Sequence, residues 1–495
     1  MKRLLVLAAA VLAASIAPPQ EADAVRPPVA MLVFDEFPTI SLLDAHGRID
    51  ARRYPNFARL AAQGTWFPNA TASVDETGRA METMLTGTTP ERKRPRNLAA
   101  NPHNLFTWLD DSYRLNVSEE ATALCPKRWC PRAHVQSRSK LKHDLAVGRP
   151  ERFFRWLRTV RRSRRPTLHF KHLLLPHVAL RYFPSGRVYA RREPIPGMVE
   201  TFHSRWLVAQ AYQRHLLQLE YTDRLLGAFL RRLRDTGLYD RALVVVTADN
   251  GESFGLFGNR HQLTEHKAAN IALTPMFVKL PGQRRGRIDG RHVRTVDLLP
   301  TMAHALHTRL PWPVQGKSML GPSARRIPSR VVLIQRSGRI FSMSLRALRR
   351  QAEARLRQKL RMFGSGDGAP GLFRLGPHPE LVGHPLFTWP MARGRRTRAR
   401  LIGHRGLRAV RRASGFVPGL IAGRVTRGAR PGSRPLAFAV NGWLIATAPS
   451  FHMPGRSAEY FSTVVPEPFL HEGSNQVQVF AIEPGGLGVR LARIF

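Results

Sequence analysis

The stretch VAMLVFDEF (residues 29–37) reads as a strand that delivers acids to one end. An unbroken apolar run, Val29 to Phe34, suits a strand buried on both faces, as in a parallel sheet. Asp35 and Glu36 then stand at its carboxyl end. RALVVVTADNGES (241–253) repeats the pattern, with Asp249 and Asn250 closing the run and Gly251 allowing a close turn. Between the two, YPNFARLAAQG (54–64) has helical spacing, and LHFKHLLLPH (168–177) is another strand-like run, ending in histidine. From Val199 to Gly237 the spacing predicts long helices, with Leu225, Phe229 and Leu233 on one face. TPMFVKLPG (274–282) reads as a strand with a turn, and VRTVDLLPTMAHAL (293–306) as a strand edge and a helix. Strands alternating with helices predict an α/β fold with a mostly parallel central sheet over residues 25–322. In such sheets ligands gather beyond the carboxyl ends of the strands, so both acid-tipped strands point to one place.

Outside this region the composition changes. Residues 323–404 combine a basic helix (344–363) with a Gly/Pro-rich stretch and read as a connecting segment. From 405 to 495, short β-rich runs such as PLAFAVNGWLIAT (435–447), YFSTVVPE (460–467) and NQVQVFAI (475–482) alternate with turns, which predicts a small β-sandwich-like domain. At the other end, residues 1–24 have a basic start, an apolar stretch and Ala22-Asp23-Ala24, the pattern of a secretory signal peptide. The expected location is secreted or extracytoplasmic, and association with the cell envelope is compatible with it. Cys125 and Cys130 are the chain's two cysteines; in an exported protein this pair reads as a local disulfide.

The formal net charge is +44, and arginine is spread along the whole chain. Such a surface attracts polyanions, among them an anionic lipid or glycan surface. The alternative is a solvated basic surface that follows from composition alone. No zinc-finger, RRM-type or basic-zipper pattern accompanies the charge, which argues against sequence-specific nucleic-acid binding.

Two strand ends carrying Asp35, Glu36, Asp249 and Asn250 make an oxygen-rich cradle for a divalent cation. Asn rather than His at 250 favours Ca²⁺, Mg²⁺ or Mn²⁺ over Zn²⁺. For either strand alone, a strand-terminal acid beside a helix dipole would serve as well. Between these strands lies VDETGRAMETMLTG (74–87), where Thr77 opens a short buried helix. Its hydroxyl either caps that helix or, in the positive field of the N-terminus, meets an anion as a nucleophile. Past the later strand, GNRHQLTEHKAA offers Arg260, His261, His266 and Lys267, either as substrate-anion binders or as a solvated basic loop.

Taken in order, VFDEFP, YPNFARLAAQGTWFPNATA, TGRAMETMLTGTTP, LVVVTADNGE, TPMFVKLPG and VRTVDLLPT resemble the sulfatase family of the alkaline phosphatase superfamily, over roughly residues 29–320. The resemblance implies an alkaline-phosphatase-like α/β sandwich and a divalent metal site that joins the two strand ends. It also implies a nucleophile ten residues before Gly87, which is Thr77. Thr77 would belong to the metal ligand set with Asp35, Glu36, Asp249 and Asn250. His177 matches a family position against substrate, while His172 is a weaker candidate. Sulfate-ester cleavers of the family carry Cys or Ser followed by x-Pro-x-Arg. Thr77-Gly78-Arg79-Ala80-Met81 has neither, and resembles instead the threonine-type phosphoethanolamine and phosphoglycerol transferases. Asp-Asn at 249–250 departs from the Asp-His of those transferases. The implied activity is an exported phosphoester, less readily sulfate-ester, hydrolase or transferase acting on a cell-envelope substrate. The competing reading is an inactive protein of the same fold that binds anionic envelope polymers.

Overall fold

Alternate residues of the first strand face opposite cores, and this single fact organises the larger part of the molecule. The computed structural model describes residues 26–89, 91, 94–131, 138–200, 203–256, 258–320, 330–365, 369–392, 397–485 and 488–495; the signal-peptide segment lies outside them. In chain order the strands of this part are β1 (Val29–Asp35), β2 (Thr65–Trp66), β3 (Ala70–Thr71), β4 (Arg114–Ser118), β5 (Thr167–Pro176), β6 (Leu243–Ala248), β7 (Met276–Lys279), β8 (Arg287–Ile288) and β9 (Val293–Arg294). A seven-stranded sheet runs β4-β5-β1-β6-β7-β2-β8, and β3 pairs with β9. The stretch β4-β5-β1-β6 is parallel, and β7 joins β6 antiparallel.

The helices are α1 (Pro55–Ala61), α2 (Thr77–Thr86), α3 (Leu105–Leu109), α4 (Arg138–Ala146), α5 (Arg149–Thr159), α6 (Arg205–Asp235), α7 (Ala268–Ala272) and α8 (Leu298–Ala305). Val29, Met31 and Val33 of β1 pack with Met81 and Leu85 of α2 and Leu298 and Met302 of α8. Ala30, Leu32 and Phe34 pack with Phe57 of α1, Phe153 of α5 and Phe229 of α6. Helices thus cover both faces of the sheet, the α/β sandwich expected from the unbroken apolar strands. The expected long helices between residues 199 and 237 are one continuous 31-residue helix, α6, capped by the Ser204 hydroxyl.

Next come the hairpin β10 (Arg330–Ile334) and β11 (Ile340–Ser344) and the basic helix α9 (Leu345–Phe363). Leu348 of α9 and Val331 and Leu333 of β10 share a core with Ile40 and with Ala268 and Ile271 of α7, so this segment is packed onto the sheet unit. The remaining strands are β12 (Arg398–Ile402), β13 (Leu420–Arg427), β14 (Pro435–Val440), β15 (Trp443–Pro449), β16 (Phe451–His452), β17 (Glu459–Val464), β18 (Val477–Gly485) and β19 (Gly488–Arg493). They form two four-stranded sheets, β12-β13-β17-β16 and β15-β14-β18-β19. Both sheets supply one core, in which Phe438 and Phe461 meet with ring centroids 5.9 Å apart. This is the expected C-terminal β-sandwich-like unit. Cys125 and Cys130 form a disulfide, with Cα atoms 5.9 Å apart.

Candidate metal and active site

The parallel register of β5, β1 and β6 sets the site. Asp35 ends β1, His172 lies on β5 opposite Val33, and the backbone N–H of Asp249 donates to Phe34 O at 3.1 Å. Asp35, His172 and Asp249 each offer a ligand atom, all within 4.8 Å of one another, and all three side chains are buried. Asp249 Oδ2 and Asn250 Oδ1 are buried without a hydrogen-bond partner, as oxygens reserved for a cation would be. Asn250 Nδ2 donates to Gly251 O at 2.9 Å, which orients its amide. The donor set of carboxylates, an amide oxygen and an imidazole fits a divalent metal.

Electrostatics agree. Burial raises the Asp35 carboxyl above its ordinary range, Glu36 adds to the rise, and the nearby histidines oppose it. Burial likewise lifts Asp249 well above the carboxylate range, and the charge on Asp35 adds to it. Two acids strained in this way are relieved by a cation between them.

Thr77 is the first residue of α2, and its hydroxyl donates to Asp35 Oδ1 at 3.1 Å. The helix cap is not Thr77 but Glu76, whose carboxylate accepts from Arg79 N at 3.2 Å and is paired with Arg96 at 2.8 Å. Capping is thus handled one residue earlier, by a longer side chain that can reach the third N–H. The Thr77 hydroxyl is left to face the strand ends.

Glu36 points elsewhere. The residue adopts φ 56°, a left-handed conformation uncommon outside glycine. Its Oε1 lies 3.0 Å from His177 Nε2 and 3.1 Å from His261 Nε2, and its Oε2 lies 3.6 Å from an Arg260 guanidinium nitrogen. Burial pushes its carboxyl up, but Arg260, His177 and His261 together hold it well below the usual range. The sequence reading had Glu36 among the metal ligands; the carboxylate is instead the hub of a cationic cluster next to them.

His177 meets Val178 O through Nδ1 at 2.6 Å and Glu36 through Nε2. Both ring nitrogens therefore donate, which is the imidazolium form. Burial lowers its pKa, but Glu36 and Asp35 outweigh this and raise it to about 9. Arg260 also reaches Glu252 at 3.4 Å, and Glu252 faces His215 Nδ1 at 3.1 Å. His177, Arg260 and His261 line an open cavity of about 550 Å³. The other two predicted basic residues are not in this cluster. Lys267 donates to Asn259 O at 3.1 Å, and exposed His266 offers its carbonyl to Arg355 at 2.7 Å.

His172, a weaker candidate for a substrate contact in the sequence, takes a place among the metal-ligating groups that the sequence does not reveal, and Glu119 is a further site residue. Glu119 Oε1 stands 3.3 Å from His172 Nδ1. That oxygen also accepts from the backbone N–H groups of Ala121 and Thr122, at 2.7 and 3.0 Å. Burial works against the charged ring of His172, but Glu119, Asp35 and Asp249 raise its pKa to about 9. A signal existed: Glu119 and Glu120 directly follow β4, the same strand-end placement of acids that singled out β1 and β6.

Comparison with known proteins places this geometry in context. The Sulfatase family model matches residues 44–308. Over 93 residues the chain is 24% identical to lipoteichoic acid synthase 1 of Bacillus subtilis, covering 17% of this chain and 14% of that protein. Over 111 residues it is 31% identical to the multifunctional alkaline phosphatase superfamily protein PehA of Trinickia caryophylli, covering 22% and 21%. The matched stretches thus span about a fifth or less of those relatives. Among solved structures, a phosphonate monoester hydrolase from Silicibacter pomeroyi aligns with TM-score 0.46 and 16% identity, covering 62% of this chain and 79% of that one.

Proposed function

Because the chain belongs to the sulfatase family of the alkaline phosphatase superfamily, we propose that it is an exported, metal-dependent phosphoester hydrolase or transferase with Thr77 as nucleophile. The observation that carries this reading is the Thr77 hydroxyl on Asp35, at the N-terminus of a ten-residue helix and beside the Asp35–His172–Asp249 cluster. A sulfate-ester substrate is disfavoured because Thr77-Gly78-Arg79-Ala80-Met81 lacks the Cys or Ser and the Pro and Arg of the formylglycine motif. The catalytic unit is assigned to residues 25–322, with a connecting segment to 404, a β-domain to 495 and a signal peptide at 1–24.

A divalent cation in the cluster would supply Lewis acidity, lowering the hydroxyl pKa and offsetting phosphoryl charge. Asp35, His172, Asp249 and Asn250 would hold it. The imidazole draws the preference within the Ca²⁺, Mg²⁺, Mn²⁺ series towards Mn²⁺. Asp35 aims the Thr77 oxygen, and the first N–H groups of α2 offer donors to the bound anion. Thr77 Oγ forms a bond to phosphorus, its proton leaving along the hydrogen bond to Asp35, while the ester P–O bond breaks. The departing alkoxide takes its proton from solvent in the open cavity, while the positive charges of His177 and Arg260 offset its negative charge. Water or an acceptor hydroxyl then attacks phosphorus, releasing Thr77 and returning its proton. Glu36 keeps His177 charged and turned to the cavity. The substrate class is an anionic phosphoester of the cell envelope.

Intact mass spectrometry after incubation with phosphodiester donors and Mn²⁺ tests this. The expected result is a phosphoryl-type adduct on the peptide containing Thr77, absent from Thr77→Ala, whose turnover falls by at least about 10³-fold. Undiminished turnover in that variant would remove Thr77 from the mechanism. Asn250, in place of histidine, favours a second reading, an inactive polymer-binding protein of this fold. Failure to bind any divalent ion on titration would select it.

A further inference from the structure

We propose that two arginine-lined clefts flank the candidate site and hold a phosphodiester-linked polyol chain on either side of the unit that reaches Thr77. This deepens the phosphoester reading above and rests on it for the choice of phosphodiester. The first cleft, about 750 Å³, lies between α5 and the Ser414–Phe416 turn and carries Arg155, Arg158, Arg181 and Arg191. It adjoins the site cavity directly. Ala146 lines both, and the chain passes from His177–Leu180 in the cavity wall to Arg181 and Tyr182 in the cleft wall. The second cleft, about 510 Å³, carries Arg400, Arg405, Arg424 and Arg456 beside Tyr460. It borders the cavity on another side, where Glu193 of the cavity wall continues into Pro194–Pro196 of the cleft.

Among the described residues, the charges in these clefts are little balanced from within the protein. Arg400 stands directly opposite Arg424 across β12 and β13, and Arg424 stands opposite Tyr460 across β13 and β17. Like charges placed opposite one another destabilise a sheet. Among the described residues, no carboxylate lines the second cleft and Glu151 is the single one in the first. Yet acids are at hand in the same unit, where Glu459 takes Arg434 at 2.6 Å and Glu467 takes Arg187 at 2.7 Å. Among the described residues, none of the cleft arginines forms an ion pair with a carboxylate. Cationic grooves of this kind attract and concentrate a polyanion.

A polyol chain fits better than a nucleic acid because three of the aromatic rings at these clefts are already engaged, Phe154 of the first cleft being the exposed exception. The Arg191 guanidinium lies 4.7 Å from the centroid of Phe416, and that of Arg149 lies 5.4 Å from Tyr182. Tyr460 is stacked on Phe451. Base-stacking platforms, on which single-strand binding depends, are therefore lacking at these rings.

Calorimetric titration of the full chain with Mn²⁺, carrying Thr77→Ala to silence turnover, tests the assignment with poly(glycerol phosphate) of increasing length. Affinity should climb with length until the chain spans both clefts. Arg155→Gln/Arg158→Gln combined with Arg400→Gln/Arg424→Gln should weaken binding of the long polymer about tenfold, each exposed ion pair contributing modestly. The same charge change on α9, Arg346→Gln/Arg350→Gln/Arg357→Gln/Arg361→Gln, should leave it unchanged. Melting temperatures verify folding, and each cleft pair can be tested alone if the combination does not fold. Equal losses in both variants, or affinity independent of length, would overturn the clefts. Tighter binding of single-stranded DNA or a sulfated glycan through the same arginines would overturn the polyol phosphate as occupant. Binding is read here without chemistry, so a missing adduct on Thr77 would refute the nucleophile and leave this result standing.

Discussion

At the scale of single residues, the site depends on side chains that orient other side chains. Glu119 touches neither substrate nor Thr77 in the arrangement described, but it holds His172 through Nδ1 and is itself fixed by two backbone N–H groups. Partners of this kind set the tautomer and angle of a metal-binding imidazole. Glu119→Gln should weaken Mn²⁺ binding about 10- to 100-fold in a calorimetric titration, and should also lower the melting temperature of the metal-free protein, where Glu119 is the main partner of the buried His172 ring. Gly251 makes a different demand. A Cβ there would lie 2.0 Å from Asn270 O and 3.2 Å from Pro38 Cα, both backbone atoms. Gly251→Ala should therefore cost about 1–3 kcal/mol in chemical denaturation. The importance of Gly251 was legible, but as a close turn; the structure shows instead a close approach of the Asn270 and Pro38 backbone, with no positive φ at this glycine. The place of His172 was not legible, because which histidine of LHFKHLLLPH meets Asp35 depends on the β1–β5 register, and register is a tertiary property.

At the scale of elements, the strands were readable and their joints less so. PLAFAVNGWLIAT contains two strands, β14 and β15, folded back at Asn441-Gly442, whose φ values of 50° and 83° suit the primed turn of a two-residue hairpin. The Asn-Gly dipeptide was the available signal, hidden inside an otherwise continuous apolar run. Helix α6 carries an internal cost. Glu220 is largely buried, and one of its oxygens lacks a partner. Burial raises its pKa from 4.5 to about 8, with Arg53 opposing and Asp50 and Asp223 adding to the rise. The folded protein thus holds this proton more tightly than the unfolded chain. The penalty is absent below about pH 4.5, grows as pH rises towards 8, and is complete above it. Glu220→Gln should match the parent near pH 4.5 and exceed its stability at pH 8.5 by about 1–4 kcal/mol in urea unfolding.

At the scale of the whole molecule, α6 belongs to two cores. Its first half sends Val208, Tyr212 and Leu216 into the core of the β-sandwich, and its second half sends Leu225, Phe229 and Leu233 under the central sheet. No loop interrupts the 31 residues between them, so neither half can lose its packing without exposing the other along a shared hydrogen-bonded rod. Calorimetric melting should give one cooperative transition, its calorimetric and van't Hoff enthalpies agreeing, rather than a step for each unit. Two separate peaks would show that the rod breaks first. A continuous strut also forbids the hinge opening by which many two-part enzymes admit their substrates. The cavity beside His177 and Arg260 should then keep its width whether or not an anion is bound.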